Sequence, residues 1–179
     1  KGLLSRTDNV YDILVPIKKG QTLAILVENQ GRVADANGNN DTKGIISNVT
    51  LSGRKLTDWT MRPILSNDIS GFQDVDATVS MQRDPKEGLG IYVTGFPSPQ
   101  DELLDTFLDV SGWKKGVAFL NGFNLGRYWP AMGPQMTLYV PSVLFREQNS
   151  LVLMELERAP CGDMEDCSVE FVKTHVING

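Results

Sequence analysis

The chain has 179 residues, with 17 Lys and Arg against 22 Asp and Glu, so its formal net charge is −5. This length suits one or two globular domains and excludes a complete eight-stranded α/β barrel, which needs about 250 residues. No apolar run approaches the about 20 residues of a membrane-spanning helix, and the basic residues form no cluster that would bind nucleic acid. Membrane-spanning, disordered and nucleic-acid-binding proteins are therefore not expected.

Short strand patterns recur along the chain and are separated by Gly, Pro or Asn. The β-prone segments are residues 10–17, 22–29, 45–51, 89–96, 106–110, 117–120, 136–140, 151–156 and 169–172. Helical periodicity nowhere exceeds about two turns, and residues 142–147 suit a single turn. Many short strands joined by turn residues are typical of a β-sandwich or jelly roll. We therefore expect an all-β, mainly antiparallel fold.

The strand patterns stop between residues 62 and 88, where Asp, Ser, Gly and Pro are frequent. We place a domain boundary near Trp59 to Pro63. Residues 1–60 contain too few strands to close a sandwich, so they are interpreted as the second half of one β-domain that pairs with strands outside this chain. Residues 61–179 are interpreted as a second, complete, jelly-roll-like domain.

Two cysteines and two sequons bear on the cellular compartment. Cys161 and Cys167 are six positions apart, which favours a local disulfide worth about 2 kcal/mol. Two unpaired thiols are the alternative, and the single histidine, His175, leaves little support for a metal site. Asn40 and Asn48 begin N-x-T sequons, so a disulfide and glycosylation together indicate a secretory compartment. The first residues resemble no signal peptide, so any such segment is expected upstream.

Few acidic or basic groups are arranged for catalysis. Glu155 and Glu157 alternate onto one strand face about 6.5–7 Å apart, a spacing that warrants comparison with the carboxyl pair of a glycosidase. A solvated strand end with an ion pair to Arg158 is the favoured interpretation. His175 is expected at the surface of a fraying tail.

Residues 112–130 form the strongest local signal. Asn121-Gly122 between two β-prone runs predicts a two-residue hairpin turn. Aromatic rings beside amide and guanidinium groups can stack on and hydrogen-bond a sugar. The candidate carbohydrate contacts are Trp113, Asn121, Asn124, Arg127, Tyr128 and Trp129. The alternative, which we favour, is that the tryptophans fill the core and Arg127 fixes a loop.

Ordered motifs across most of the chain resemble one enzyme family. They include Gly112-Trp113-x-Lys115-Gly116, the run from Asn121 to Ala131, Gly133-Pro134-Gln135-x-Thr137-Leu138-Tyr139-Val140-Pro141, and Leu153-x-Glu155-Leu156-Glu157-x-Ala159-Pro160-Cys161. Further matches lie at 26–33, 43–51 and 56–60. Together they resemble the C-terminal β-domains of glycoside hydrolase family 35 β-galactosidases, in particular the animal lysosomal members.

The resemblance implies a multidomain enzyme in which a catalytic α/β barrel with two catalytic glutamates precedes two β-sandwich domains of galactose-binding-like type. It implies retaining hydrolysis of terminal β-D-galactose from glycoconjugates, no cofactor or metal, and a lysosomal or secreted location. The barrel motifs have no counterpart here, and Glu155 and Glu157 match a non-catalytic strand end. The expected role is structural support of the barrel, with a galactose-binding lectin-like module as the alternative. Homo-oligomerisation stays open.

Overall fold

The computed structural model describes residues 2–6, 8–28, 43–61, 90–98, 103–161 and 167–178. The chain forms two compact units, Lys1–Pro63 and Ile64–Gly179, which we describe separately. Among the described residues, no helix is both long enough and apolar enough to cross a membrane.

The second unit is built from antiparallel strands. These are β3 (Gly90–Pro97), β4 (Thr106–Asp109), β5 (Gly116–Leu120), β6 (Phe123–Tyr128), β7 (Thr137–Val140), β8 (Gln148–Glu155) and β9 (Glu170–Val172). Single 3-10 turns occupy Pro130–Met132 and Ser142–Leu144. The predicted all-β fold is confirmed, and the turn expected within 142–147 is present.

The strands form two sheets in the orders β3-β8-β5-β6 and β7-β4-β9. Among the described strands of this unit, β5 and β6 are the only sheet neighbours that are consecutive in the chain, and they form a hairpin. Alternate side chains of both sheets point into one core, which contains Leu108, Val110, Leu138 and Val140 from one sheet and Ala118, Leu120, Leu151 and Leu153 from the other. Burying each large aliphatic side chain stabilises the sandwich by about 1.5–3 kcal/mol.

Strand β8 is buried on both of its faces. Leu151 and Leu153 join the main core, whereas Val152, with 2% exposure, packs with Phe119 in a second cluster on the opposite face of the sheet. A strand covered on both sides does not need to alternate apolar and polar residues. This accounts for the unbroken apolar run of residues 151–154.

The first unit contains one short hairpin, β1 (Thr50–Leu51) and β2 (Arg54–Lys55). Its turn residues Ser52 and Gly53 have φ values of 50° and 77°, as in two-residue hairpin turns. The predicted strand over 45–51 is therefore reduced to its last two residues.

The strands predicted over 10–17 and 22–29 were wrong for the described part of these segments, because residues 11–28 contain no paired strand. The connection between them does turn, since the Gln21 N–H donates to the Lys18 carbonyl at 3.1 Å. Ile13, Val15 and Ile17 alternate as half-buried residues with exposed neighbours. The side chains of this segment thus alternate in burial as they do in a strand, although no described strand forms a hydrogen-bonded ladder with it.

Candidate functional site

The β5–β6 hairpin carries most of the candidate residues. Its turn, Asn121-Gly122, has φ values of 51° and 86°, so the predicted hairpin turn is confirmed. Asn tolerates this left-handed conformation better than most residues, and Gly adopts it without steric cost.

The Asn121 side chain ties the hairpin to the 3-10 turn Ser142–Leu144 and to the start of β8. Its Nδ2 donates to the Leu144 carbonyl at 2.7 Å and to Asn149 Oδ1 at 2.8 Å. Its Oδ1 accepts from the Ser150 N–H at 2.8 Å. All three contacts are within the protein, so Asn121 acts here as a structural residue.

Asn124 stabilises a β-bulge in β6. Ala118 pairs with Gly126 and Phe119 pairs with Asn124, which leaves Leu125 as the extra residue. Asn124 Oδ1 accepts from the Gly126 N–H at 2.9 Å. The φ of Gly126 is 124°, a conformation that favours glycine. The side-chain oxygen of Asn124 therefore stabilises the bulge.

Trp113 lies in the core and is 4% exposed. Its Nε1 donates to the Ser168 carbonyl at 3.0 Å. Its ring meets Tyr92 edge-on at 5.0 Å between centroids and Tyr128 at 6.5 Å. Buried rings of this kind contribute to packing, in line with the structural interpretation of Trp113.

The end of β8 is not solvated, so that expectation for Glu155 was wrong. Glu155 is 0% exposed. Its carboxylate accepts four backbone N–H groups and one phenol, from Lys114, Lys115, Glu157, Arg158 and Tyr128, at 2.8–3.2 Å. A buried charge is tolerated when hydrogen bonds of this kind replace water. With both oxygens engaged by the fold, Glu155 has a structural role.

Tyr128 completes this cluster from β6. Its hydroxyl donates to Glu155 Oε2 at 3.2 Å. Burial raises the pKa of Tyr128 well above its ordinary value, and the Glu155 carboxylate raises it further. Burial also raises the pKa of Tyr92, again with a contribution from Glu155. Both phenols therefore stay protonated at neutral pH, and Tyr128 remains a donor.

Arg127 lies on the face of β6 opposite Tyr128, as strand alternation requires, and Trp129 directly follows the end of β6. Lys115 Nζ sits 3.8 Å from the centre of the Trp129 ring, and Arg127 Cζ sits 5.6 Å from it. Both distances are within the range of cation–π attraction. Trp129 is half-buried and Arg127 is exposed.

A cleft of about 120 Å³ opens beside these residues, where the edge strands β6 and β7 meet. Its walls include Arg127, Trp129, Met132 and Gln135, and Tyr128 contributes to its floor. Met132 and Gln135 were missed from the sequence, because Met132 ends the 3-10 turn, Gln135 follows it, and neither lies in a strand pattern that would orient it.

The structure thus divides the six candidate carbohydrate contacts. Arg127, Tyr128 and Trp129 line the cleft together. Trp113 lies in the core, and the two asparagines serve the hairpin. Among the described residues, no group of three His, Cys, Asp or Glu is arranged to hold a metal.

The structure joins Cys161 and Cys167 in a disulfide that closes the segment between β8 and β9. Asn48 is exposed two residues before β1. Asn40 lies outside the described residues. The sequon at Asn48 is therefore sterically open to modification.

The tail beyond β9 is held in place, so the expectation of a fraying tail was wrong. The Met136 N–H donates to the Val176 carbonyl at 3.0 Å, and the Asn178 N–H donates to the Pro134 carbonyl at 2.7 Å. His175 is exposed, as expected, and its ring lies 5.7 Å from that of Phe107.

Comparison with known proteins gives two domain matches in tandem. Residues 1–65 match the family model of the β-galactosidase first all-beta domain, and residues 89–150 match that of the β-galactosidase galactose-binding domain.

Individual relatives carry the same name. The chain is 41% identical to human β-galactosidase over 99% of this chain and 28% of that protein, and 43% identical to mouse β-galactosidase over 90% and 28%. It is also 42% identical to β-galactosidase 17 of Arabidopsis thaliana over 76% of this chain and 21% of that protein. The chain spans less than a third of the length of these relatives. It belongs to the β-galactosidase family, and its sequence matches two of the β-domains of that family.

Proposed function

We propose that this chain is the non-catalytic β-domain region of an enzyme that hydrolyses terminal non-reducing β-D-galactose residues, and that it supports the catalytic domain structurally. The observation that carries the proposal is the tandem match to two β-galactosidase β-domains within a chain that spans 28% of human β-galactosidase. The boundary between the two domains is placed near residue 60.

The position of Glu155 favours a catalytic site elsewhere in the polypeptide. Retaining glycoside hydrolysis needs two carboxyl groups about 5–5.5 Å apart across the scissile bond. Glu155 cannot be one of them, because its oxygens bind backbone N–H groups in the core. We assign the two catalytic glutamates to an upstream α/β barrel. The reaction they perform needs no cofactor.

The partner of the first unit is proposed to be upstream sequence of the same polypeptide. Leu14 is 97% exposed, and Tyr11, Ile46 and Trp59 are also exposed in this unit. Apolar side chains beside unpaired extended segments favour the addition of further strands.

A lysosomal or secreted location is proposed on two observations. The Cys161–Cys167 disulfide suits an oxidising compartment. The exposed Asn48 sequon provides an acceptor for N-glycosylation.

The test uses the chain and the intact gene product side by side. The 179-residue chain should not cleave a chromogenic β-galactoside, whereas the intact product should. In the intact product, Trp113→Ala should reduce the yield of folded enzyme but leave the KM of the folded fraction unchanged. The matched control is Phe123→Ala, which removes an aromatic side chain that is 52% exposed in the second unit. Turnover by the 179-residue chain alone would refute the non-catalytic assignment.

A galactose-binding module is the second candidate function. It is favoured by the description of the family model that matches residues 89–150 and by the cleft that brings Arg127 and Trp129 together.

A further inference from the structure

We propose that the cleft between β6 and β7 binds a single galactose unit, held by Arg127, Trp129 and Gln135. This inference rests on the second candidate function and gives it a position in the fold. It excludes Trp113, Asn121 and Asn124 from the binding site.

The position of the cleft keeps it separate from the core contacts. It lies where the edge strand of one sheet meets the edge strand of the other, beside the 3-10 turn Pro130–Met132. Tyr128 and Leu138, 2% and 7% exposed, form the base below the opening. Arg127 is therefore carried by a strand that the core fixes, whereas Trp129, Met132 and Gln135 lie in the connection between β6 and β7.

The side chains around the opening suit a polyhydroxylated ring. Arg127 is exposed and offers only donors, while the exposed Gln135 amide offers both donors and an acceptor. Hydroxyl groups can satisfy both kinds of partner. The Trp129 ring borders the opening, and the Lys115 ammonium covers one of its faces at 3.8 Å from the ring centre, which leaves the other face for contact with a ligand. The aromatic ring can pack on the C–H groups of a sugar, and the polar groups can hydrogen-bond its hydroxyls.

The size of the cleft limits the ligand. At about 120 Å³ it is smaller than the roughly 300 Å³ at which pockets for drug-sized ligands begin. One pyranose ring is therefore the expected occupant. Binding of one ring through a few hydrogen bonds implies millimolar affinity.

The test is a titration of the full chain followed by ¹⁵N NMR, with methyl β-D-galactopyranoside as the probe and methyl β-D-glucopyranoside as the epimeric control. The galactoside should shift the Trp129 indole, the Gln135 side-chain amide and the Gly133 backbone amide, with saturation. Shifts confined to other residues would overturn the proposed location but still support a galactose-binding module. The absence of any shift would overturn both the location and the galactose-binding function. Equal binding of the glucoside would overturn the assignment to galactose.

Variants give the second measurement. Arg127→Ala and Gln135→Ala should each weaken galactoside binding by about tenfold, because each removes hydrogen bonds to the ligand. Arg146→Ala and Gln148→Ala are the matched controls, since both side chains are exposed away from the cleft. Because all four side chains are exposed, melting temperatures should remain unchanged. Unaltered affinity in both cleft variants would refute the site.

Discussion

At the residue scale, Glu155 connects three parts of the second unit. Its carboxylate accepts from the loop that precedes β5, from the residues that follow β8 and from the Tyr128 hydroxyl of β6. Among the described residues, no buried side-chain nitrogen or oxygen lacks a hydrogen-bond partner. A single acidic side chain therefore satisfies backbone groups that no sheet ladder reaches.

Replacing Glu155 tests this role. Glu155→Ala should lower the free energy of unfolding by about 3 kcal/mol or more, because buried N–H groups lose their acceptor. Glu155→Gln keeps one acceptor oxygen and should lose less. Urea denaturation measures both, with Glu157→Gln as the neighbouring control. A Glu155→Ala variant as stable as the wild type would contradict the assignment.

Tyr128 predicts a loss of stability at alkaline pH. Because its pKa is raised in the folded state, the unfolded chain releases this proton first as pH rises above about 10. The contribution is complete below that pH and declines above it by about 1.4 kcal/mol per pH unit. Tyr128→Phe should make the alkaline decline shallower, as measured by denaturation between pH 8 and pH 11. Tyr11→Phe, which retains the Tyr128–Glu155 contact, should keep the wild-type decline.

The sequence predicted some of these residue roles and missed others. Trp113 was expected in the core because it is large and aromatic, and it lies there. Glu155 was missed because glutamate is almost never fully buried unless it is paired. The one sequence signal for the burial of Glu155 was its position in the strand, since Leu151, Leu153 and Glu155 alternate onto one face of β8.

At the element scale, the β5–β6 hairpin depends on Asn121 in two separable ways. The backbone needs a residue that accepts a φ of 51°, and the side chain makes three hydrogen bonds to residues 144–150. Conformation and bonding thus contribute independently to hairpin stability.

Two substitutions distinguish these contributions. Asn121→Gly keeps the turn conformation but removes the hydrogen bonds, so it should reduce the free energy of unfolding by about 2 kcal/mol. Asn121→Ala should lose a further ~1 kcal/mol because alanine disfavours positive φ. Thermal and urea unfolding measure the difference. If Asn121→Gly unfolds like the wild type, the side-chain bonds add nothing to stability.

The strands of the second unit were largely predictable, whereas those of the first were not. Segments 106–110 and 136–140 contain the strands β4 and β7, which pair with each other. Segments 10–17 and 22–29 have equally good patterns, but no described strand pairs with residues 11–28. Periodicity indicates which face would be buried; pairing depends on a second strand.

At the scale of the whole molecule, the two units differ in how the N–H and C=O groups of their backbone are hydrogen-bonded. Strands β5 and β8 are hydrogen-bonded in the middle of a four-stranded sheet, whereas residues 11–28 have no paired strand. Local stability should follow this difference.

Hydrogen exchange should therefore divide the chain sharply. Amides of residues 11–28 should exchange rapidly, and amides of Gly116–Leu120 and Leu151–Leu153 should be protected until global unfolding. Exchange monitored by mass spectrometry resolves these segments in one sample. Strong protection through residues 22–28 would show that this segment is paired after all. In the intact gene product, addition of upstream strands should protect the same amides.

The bulge at Leu125 makes the hairpin sensitive to a type of mutation that substitutions do not reproduce. The register after the bulge sets which side chains face inward, so that Tyr128 reaches Glu155 while Arg127 faces outward. Deletion of Leu125 would restore the regular ladder and keep Tyr128 opposite Gly116, whereas insertion of one residue between Gly126 and Arg127 would reverse the alternation of the residues after it. After such an insertion, Arg127 would take the place of Tyr128, and Glu155 would lose the phenol donor. The hairpin should therefore tolerate deletion of Leu125 better than insertion of a residue between Gly126 and Arg127.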